Sequence, residues 1–372
     1  MIYLDYNATT PIDPEVKDTI IKSLDIYGNP SSSHKIGNEA KAIIEQARKN
    51  VAQLIDVNPS NIFFTSGGTE SNNLAIIGLA YKYKKGHIIT SVIEHPSVLN
   101  PLKWLQSKGF DVTYLPVNND CMVDPEDVKK AIKRDTILIT IMHSNNETGV
   151  LQPISEIGEI AKQFGIIFHT DAAQSVGKVE IKISNINVNM LTIVSHKFYG
   201  PKGIAALYVD DKNALDPIMF GAGHEKGLRP GTENILGIVG LGKASEIANR
   251  DISQIQKHML NLRDKLFQLI ENNLKVKLNG HKTLRLPNTL NISITGIRSY
   301  ELMDRLKDKI ALSAGAACHS GICKPSYVLK AMGLSDEDAL SAIRISLGKG
   351  STLSDIEIAA EQIIKVCKEI QS

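Results

Sequence analysis

Cysteine is scarce in this chain: Cys121, Cys318, Cys323 and Cys367 are the four in 372 residues. Four are too few to staple a fold of this size with disulfides, so a reducing, cytoplasmic setting is expected. Apolar runs long enough to span a bilayer are also missing, which argues against a membrane protein. Lysine and arginine form no long block and the formal net charge is only +2, so nothing favours nucleic acid as a partner. The opening Met1-Ile-Tyr-Leu-Asp5 lacks the charged and apolar regions of a signal peptide. Internal repeats and low-complexity tracts are lacking too. What remains is the composition of an ordinary globular protein, 42% hydrophobic and 22% charged, in a chain long enough for two domains.

From about residue 50 to 210, short apolar runs alternate with helix-like stretches. Ile62–Thr65, His87–Ser91 and Thr136–Met142 precede helical stretches near Thr69, Ser97 and Ser155. Ile166–His169, Leu191–Val194 and Ile204–Val209 continue the series. Regular alternation of this kind predicts an α/β fold with a mostly parallel sheet and helices on both faces. Ligands of such sheets bind at the carboxyl ends of the strands. An amphipathic stretch over about 245–275 reads as a connecting helix. Beyond it, Leu290–Ile294, a helix near Ser299–Lys307, the Ala311–Ser320 segment and a last helix from about Ser354 suggest a smaller α+β domain.

The loops at the strand ends carry the chemistry. Lys197 follows the Leu191 run and precedes the Gly200-Pro-Lys-Gly203 turn. A lysine there is commonly a solvated charge, but burial would lower its pKa and free an amine able to form a Schiff base with a carbonyl, pyridoxal phosphate above all. Thr65-Ser-Gly-Gly-Thr-Glu70 is either a phosphate cradle at a helix N-terminus or a plain N-cap by Ser66 or Thr69. Asp171 could pair with a protonated ring nitrogen, join His169 as a metal pair, or simply cap a helix. No third ligand with metal spacing is evident. His95 could stack on a planar cofactor or move protons, or be an ordinary loop histidine. Asn145-Asn-Glu-Thr-Gly149 could be a polar turn. Together, five strand ends bearing a phosphate-type turn, a His, an Asn, an Asp and a Lys outweigh the separate mundane readings. Further on, small residues flank Cys318 in Ser313-Ala-Gly-Ala-Ala-Cys-His-Ser-Gly321, a loop able to move, where an exposed thiol beside His319 could act as a nucleophile. The alternative is an inert buried cysteine. Its spacing to Cys323 matches no common metal or redox pair.

At this point the chain resembles the class V aminotransferase-like, pyridoxal phosphate-dependent cysteine desulfurases, with selenocysteine lyases as close relatives. The resemblance runs nearly end to end, through Tyr3–Pro11, Gly28-Asn-Pro-Ser31, the Thr65 turn, Glu94-His-Pro96, Asn145–Gly149, His169–Gln174, His196–Gly203, Arg229-Pro-Gly-Thr232 and Ile343–Gly348. It implies a fold-type I enzyme with a seven-stranded sheet, a large cofactor-binding domain over 15–250, and a small domain formed by 1–14 and 251–372. Lys197 would hold pyridoxal 5'-phosphate as a Schiff base. His95 would stack on the ring, Asp171 pair with its nitrogen, and Gln174 bond its phenolic oxygen. Gly68, Thr69 and His196 would hold the phosphate, with Thr232 reaching in from the second subunit of a homodimer. The usual phosphate-binding serine falls on Val194, which makes Ser195 the candidate replacement. Asn29, Asn146 and Arg344 would bind the substrate carboxylate, and Cys318 would accept sulfur from L-cysteine. The alternative activity implied is selenium release from L-selenocysteine, which Gly315–Ser320 and Arg229–Asn234 favour. A third, non-enzymatic sulfur-carrier reading requires loss of Lys197, Asp171 or His95, and all three are present. The housekeeping desulfurases resembled here dock an iron–sulfur scaffold through a longer tail, whereas this chain stops at Ser372, which leaves the sulfur-acceptor protein open.

Overall fold

The computed structural model describes residues 1–314, 317–319 and 322–372, with only the backbone given for 317–319, 322 and 323. Seven strands form the main sheet: β1 (Ile62–Thr65), β2 (His87–Ser91), β3 (Asp111–Leu115), β4 (Thr136–Thr140), β5 (Ile167–Asp171), β6 (Met190–Val194) and β7 (Ala205–Val209). Their spatial order is β1-β7-β6-β5-β4-β2-β3. The pairs within β2 to β6 are parallel, and β7 runs antiparallel to both β6 and β1. Strands β1, β2, β6 and β7 are buried along their whole length, which is why none of them shows a polar–apolar alternation. Edge strand β3 begins exposed and is only partly buried along its length; the sequence reading did not find it. The expected helices are present as Gly68–Tyr83, Pro96–Ser107 and Ile154–Phe164.

Beyond residue 270 the chain builds a second, antiparallel sheet from Val276–Leu278, Thr289–Ile294, Ser313–Ala314 and Ala342–Ser346. The helices Ser299–Leu306 and Leu353–Gln371 contribute Leu302, Ile356 and Ile363 to the apolar cluster that also holds its strands. Residues near the amino terminus join this cluster: Leu4 is in it, and Ile2–Tyr3 pairs in parallel with Ile310–Ala311.

One helix serves both cores. It runs for 37 residues, Ile235–Glu271, longer at its start than the 245–275 stretch that periodicity suggests. Leu241, Ala244 and Ile247 pack in the cluster of the main sheet, while Leu262, Leu266 and Ile270 pack in that of the second. The boundary expected at residue 250 therefore falls inside a continuous helix. Early in that helix Gly242 touches the helix Lys35–Ile55 so closely that an added Cβ would stand 2.5 Å from the Ala47 Cβ and 2.6 Å from its Cα.

This contact generates a stability prediction. Gly242→Ala gains about 1 kcal/mol of helix propensity, but forcing two backbones apart costs about 1–3 kcal/mol. The close approach to Ala47 puts the cost at its upper end. We expect a net loss of about 1–2 kcal/mol, read as a lower urea midpoint with unchanged slope.

Candidate active site

A cavity of about 330 Å³ opens where β5 and β6 end, against the first turns of Gly68–Tyr83 and Pro96–Ser107. Its location is the one expected for a parallel sheet.

One end is built for an anion. Gly68 and Thr69 open a helix whose first N–H groups lack backbone partners, with the positive end of its dipole at the cavity. A Cβ on Gly68 would come 2.7 Å from Val194 Cγ2, so glycine permits this approach to the sheet. Glu70, in the same turn, is engaged elsewhere: its carboxylate accepts from Arg229 Nε at 2.8 Å and from the Ser66 N–H at 2.8 Å. His196 completes this end, with Nδ1 3.1 Å from the Thr9 hydroxyl. Burial and the neighbouring cations Lys197, Lys202 and Lys178 push it down to about 4, so it is neutral at pH 7.

The middle holds Asp171 and His95. Asp171 Oδ1 accepts from the Ala173 N–H at 2.9 Å and Oδ2 from Asn72 Nδ2 at 2.7 Å. His95 is the N-cap of Pro96–Ser107, its Nδ1 accepting from the Ser97 N–H at 3.1 Å. Burial keeps His95 below the ordinary histidine value. Gln174 lies alongside and donates through Nε2 to the Asn7 carbonyl at 2.9 Å.

Lys197 sits in the single turn that follows β6 and donates to the carbonyls of Asn7 and Ala8 at 2.7 and 2.9 Å. Burial, then Arg344, lowers its pKa to about 8, although Asp171 and Asp5 oppose the shift. Opposite, Arg344 comes from the strand Ala342–Ser346, paired to Asp5 at 2.8 Å and donating to the Asn146 carbonyl at 3.0 Å. Arg344 Nε and Asn146 Oδ1 are buried without partners among the described residues. Such orphaned groups call for a ligand. The residues thus suit pyridoxal phosphate and an amino acid: an anion end, a carboxylate for a ring nitrogen, a flat imidazole, an amine of lowered pKa, and a guanidinium with a spare donor.

Of the residues singled out from sequence, Gly68, Thr69, His95, Asn146, Asp171, Gln174, His196, Lys197 and Arg344 line one cavity. Ser195 does not. Val194, the last residue of β6, faces the cavity, whereas Ser195 opens the turn that follows and does not line it, its buried hydroxyl unpartnered among the described residues and close to Gly200. Val194, where the resemblance places the family's phosphate-binding serine, thus lines the cavity, and Ser195 does not. Asn29 and Thr232 are exposed and away from the cavity, with Asn29 Oδ1 accepting from the Ser31 N–H. The side chains of Cys318 and Cys323 lie outside the described residues. His169, weighed above as a metal ligand, has Nδ1 2.9 Å from the Thr140 hydroxyl and Nε2 3.2 Å from that of Thr192. Among the described residues no group of three or more His, Cys, Asp or Glu could hold a metal ion.

Three participants were missed. Asn7 carries carbonyl and side-chain contacts to Lys197, Gln174 and Lys178. Lys178 is buried, donating to Gln174 Oε1 at 2.8 Å and Asn7 Oδ1 at 3.2 Å; burial, Lys197 and Arg344 lower its pKa well below the lysine range. Asn72 binds Asp171. Each stands inside or beside a quoted motif, but only their long-range contacts reveal a role.

A fold-type I α/β scaffold with this cavity defines a class, and the comparisons make it specific. The chain belongs to the aminotransferase class-V family, whose model matches residues 2–358. It is 42% identical over 376 residues to the cysteine desulfurase IscS of Dictyoglomus turgidum, covering 100% of this chain and 95% of that one. A solved NifS-like protein superposes with a TM-score of 0.93 at 38% identity, covering 99% of both chains. A structure of SspA in complex with cysteine gives a TM-score of 0.83 at 40% identity, covering 95% of this chain and 100% of that one.

The cavity's electrostatics give a direct expectation. Competitive acylation of the cofactor-free protein, followed by peptide mapping, should return a Lys197 pKa near 8, against about 10.4 for free lysines. A Lys197 reactivity profile matching surface lysines would contradict the desolvated site.

Proposed function

We propose that this protein is a pyridoxal phosphate-dependent cysteine desulfurase, converting L-cysteine to L-alanine and leaving the sulfur as a persulfide on Cys318. What carries the reading is the convergence on one cavity of Lys197, Asp171 and His95 with the orphaned Arg344 Nε and Asn146 Oδ1. When bound, the cofactor supplies an electron sink for the pair of electrons left by the Cα proton. Lys197, with its lowered pKa, is suited both to hold the cofactor and to take that proton. Asp171, ionised, would keep a ring nitrogen protonated. Gly68, Thr69 and neutral His196 would bind the phosphate, and Gln174 the phenolic oxygen. Arg344 and Asn146 would hold the substrate carboxylate, with Asn29 nearby in the assembled enzyme. Cys318, as thiolate, would attack the substrate sulfur, so that the S–S bond forms as the C–S bond breaks.

The same reading includes a homodimer with Thr232 completing the partner subunit's phosphate site, and a division into a large domain over 15–250 and a small one over 1–14 and 251–372. The persulfide would pass to an acceptor protein for iron–sulfur cluster assembly or another sulfur product. A cytoplasmic setting fits the free, buried Cys121 and Cys367, and no described helix is long and apolar enough to cross a membrane. The desulfurase relative and the structure holding cysteine favour sulfur over selenium as the element released.

Alanine formation from L-cysteine and L-selenocysteine, measured side by side with added pyridoxal phosphate, tests the assignment. Lys197→Ala should abolish both reactions, and normal alanine release from that variant would sink it. Cys318→Ala should lose cysteine turnover by at least 100-fold while selenium release persists, because selenium leaves without thiol help.

A further inference from the structure

A buried chain of hydrogen bonds lies behind the cavity, and its direction can be deduced. Thr140, His169, Thr192 and Asn72 are all 0% exposed. Asn72 Nδ2 lies 2.7 Å from Asp171 Oδ2 and 2.8 Å from Ser97 Oγ, while Asn72 Oδ1 is 2.7 Å from Thr192 Oγ1. An ionised carboxylate only accepts, so the amide nitrogen of Asn72 must face Asp171. Its oxygen then faces Thr192, whose hydroxyl has to donate. Thr192 must in turn accept from His169 Nε2, which leaves His169 Nδ1 to accept from Thr140. On the other side, the Ser97 hydroxyl accepts from Asn72 and lies 2.8 Å from His95 Nδ1. The Ser97 backbone N–H donates to the same nitrogen. Nδ1 of His95 therefore has no room for a proton, and its one proton lies on Nε2.

We infer that Asn72 is a positioning residue that joins Asp171 to His95, so that one amide holds the carboxylate meant for the ring nitrogen and, through the Ser97 hydroxyl, reinforces the tautomer that the Ser97 N–H imposes on the imidazole meant for the ring face. This deepens the desulfurase reading and rests on it for its catalytic consequence. Asn72 stands one turn inside the helix whose first residues, Gly68 and Thr69, line the anion end. A single rigid element thereby fixes three sides of the cavity. The charged and titratable groups that bear on His95 are Asp171, which favours its protonation, and Lys197, which opposes it. The adjacent Glu94 carboxyl is fully buried, with Oε1 accepting from the Ser91 hydroxyl and the Met142 N–H and Oε2 without a partner among the described residues; burial pushes it up to about 8.

Asn72→Asp keeps the shape but sets an oxygen in place of the Nδ2 that lies 2.7 Å from Asp171 Oδ2, so the two carboxyls must share a proton and no donor is left over for Ser97. Ser97 would then donate to residue 72, and His95 would lose that donor on Nδ1. The experiment is nitrogen NMR of histidine-labelled, cofactor-free protein, with the His95 signals assigned by their loss in His95→Gln. The wild type should show Nε2 protonated and Nδ1 bare. Asn72→Asp should raise the proton affinity of His95 at least tenfold and, once loaded with pyridoxal phosphate, lower kcat at least tenfold with KM within threefold. If Asn72→Asp fails to fold, Ser97→Ala cuts the link at one atom and should raise His95 proton affinity in the same direction. A wild-type His95 protonated on Nδ1, or variants that titrate as wild type, would overturn the inference. Because the titration uses no cofactor or substrate, it stands or falls separately from alanine formation.

Discussion

Everything at the cavity depends on keeping three basic side chains, Lys178, Lys197 and Arg344, together and largely out of water. Among the described residues only Arg344 of the three has a carboxylate partner, Asp5. The two lysines are held by amide and carbonyl oxygens of Asn7, Ala8 and Gln174. Neutral acceptors satisfy donors without cancelling charge, so the field stays positive and the amines become easier to deprotonate. Asn7 also takes Ser346 Oγ on its N–H and Asn288 Nδ2 on its side chain. The residue that holds Lys197 thus also fastens the amino-terminal segment to the second sheet.

This arrangement explains the division of labour around the cavity. The sheet contributes fixed points, because Asp171 and Val194 end buried strands that cannot shift without disturbing packing on both faces. Helix N-termini contribute direction, through Gly68 for an anion and through the His95 cap for the imidazole. Charge comes from the second sheet, since Arg344 lies on its strand Ala342–Ser346. The negative charges are few and occupied: Asp171 by two donors, Glu70 by Arg229, Asp5 by Arg344. An anionic ligand would be the missing counter-charge.

Much of this was legible in the sequence, for a physical reason. Parallel strands buried on both faces write themselves as apolar runs, and the residues that follow each run must lie on one edge of the sheet. That was enough to gather Gly68, His95, Asn146, Asp171 and Lys197. Register at a strand end was not legible: whether Val194 or Ser195 faces the cavity depends on where the turn begins, a matter of one residue. Nor were Asn7 and Lys178, whose partners stand up to 339 residues away in the chain. Gly237, Gly240 and Gly242 are poor helix formers in the opening turns of the long helix, whose start periodicity places at about 245, and close packing against Ala47 is what demands glycine at 242.

The place of β7 bears on how the chain is made. Strand β1 is joined to the rest of the sheet only through β7, which lies between it and β6. As the chain leaves the ribosome, Ile62–Thr65 emerges early and then waits, its apolar residues unpaired, until Ala205–Val209 appears. Strands β2 to β6 can meanwhile associate among themselves. Sheet closure is thus a late, long-range event, of the kind that slows folding and leaves an apolar strand open to association with other chains. Nascent chains arrested before residue 205 should be the ones that most need a chaperone.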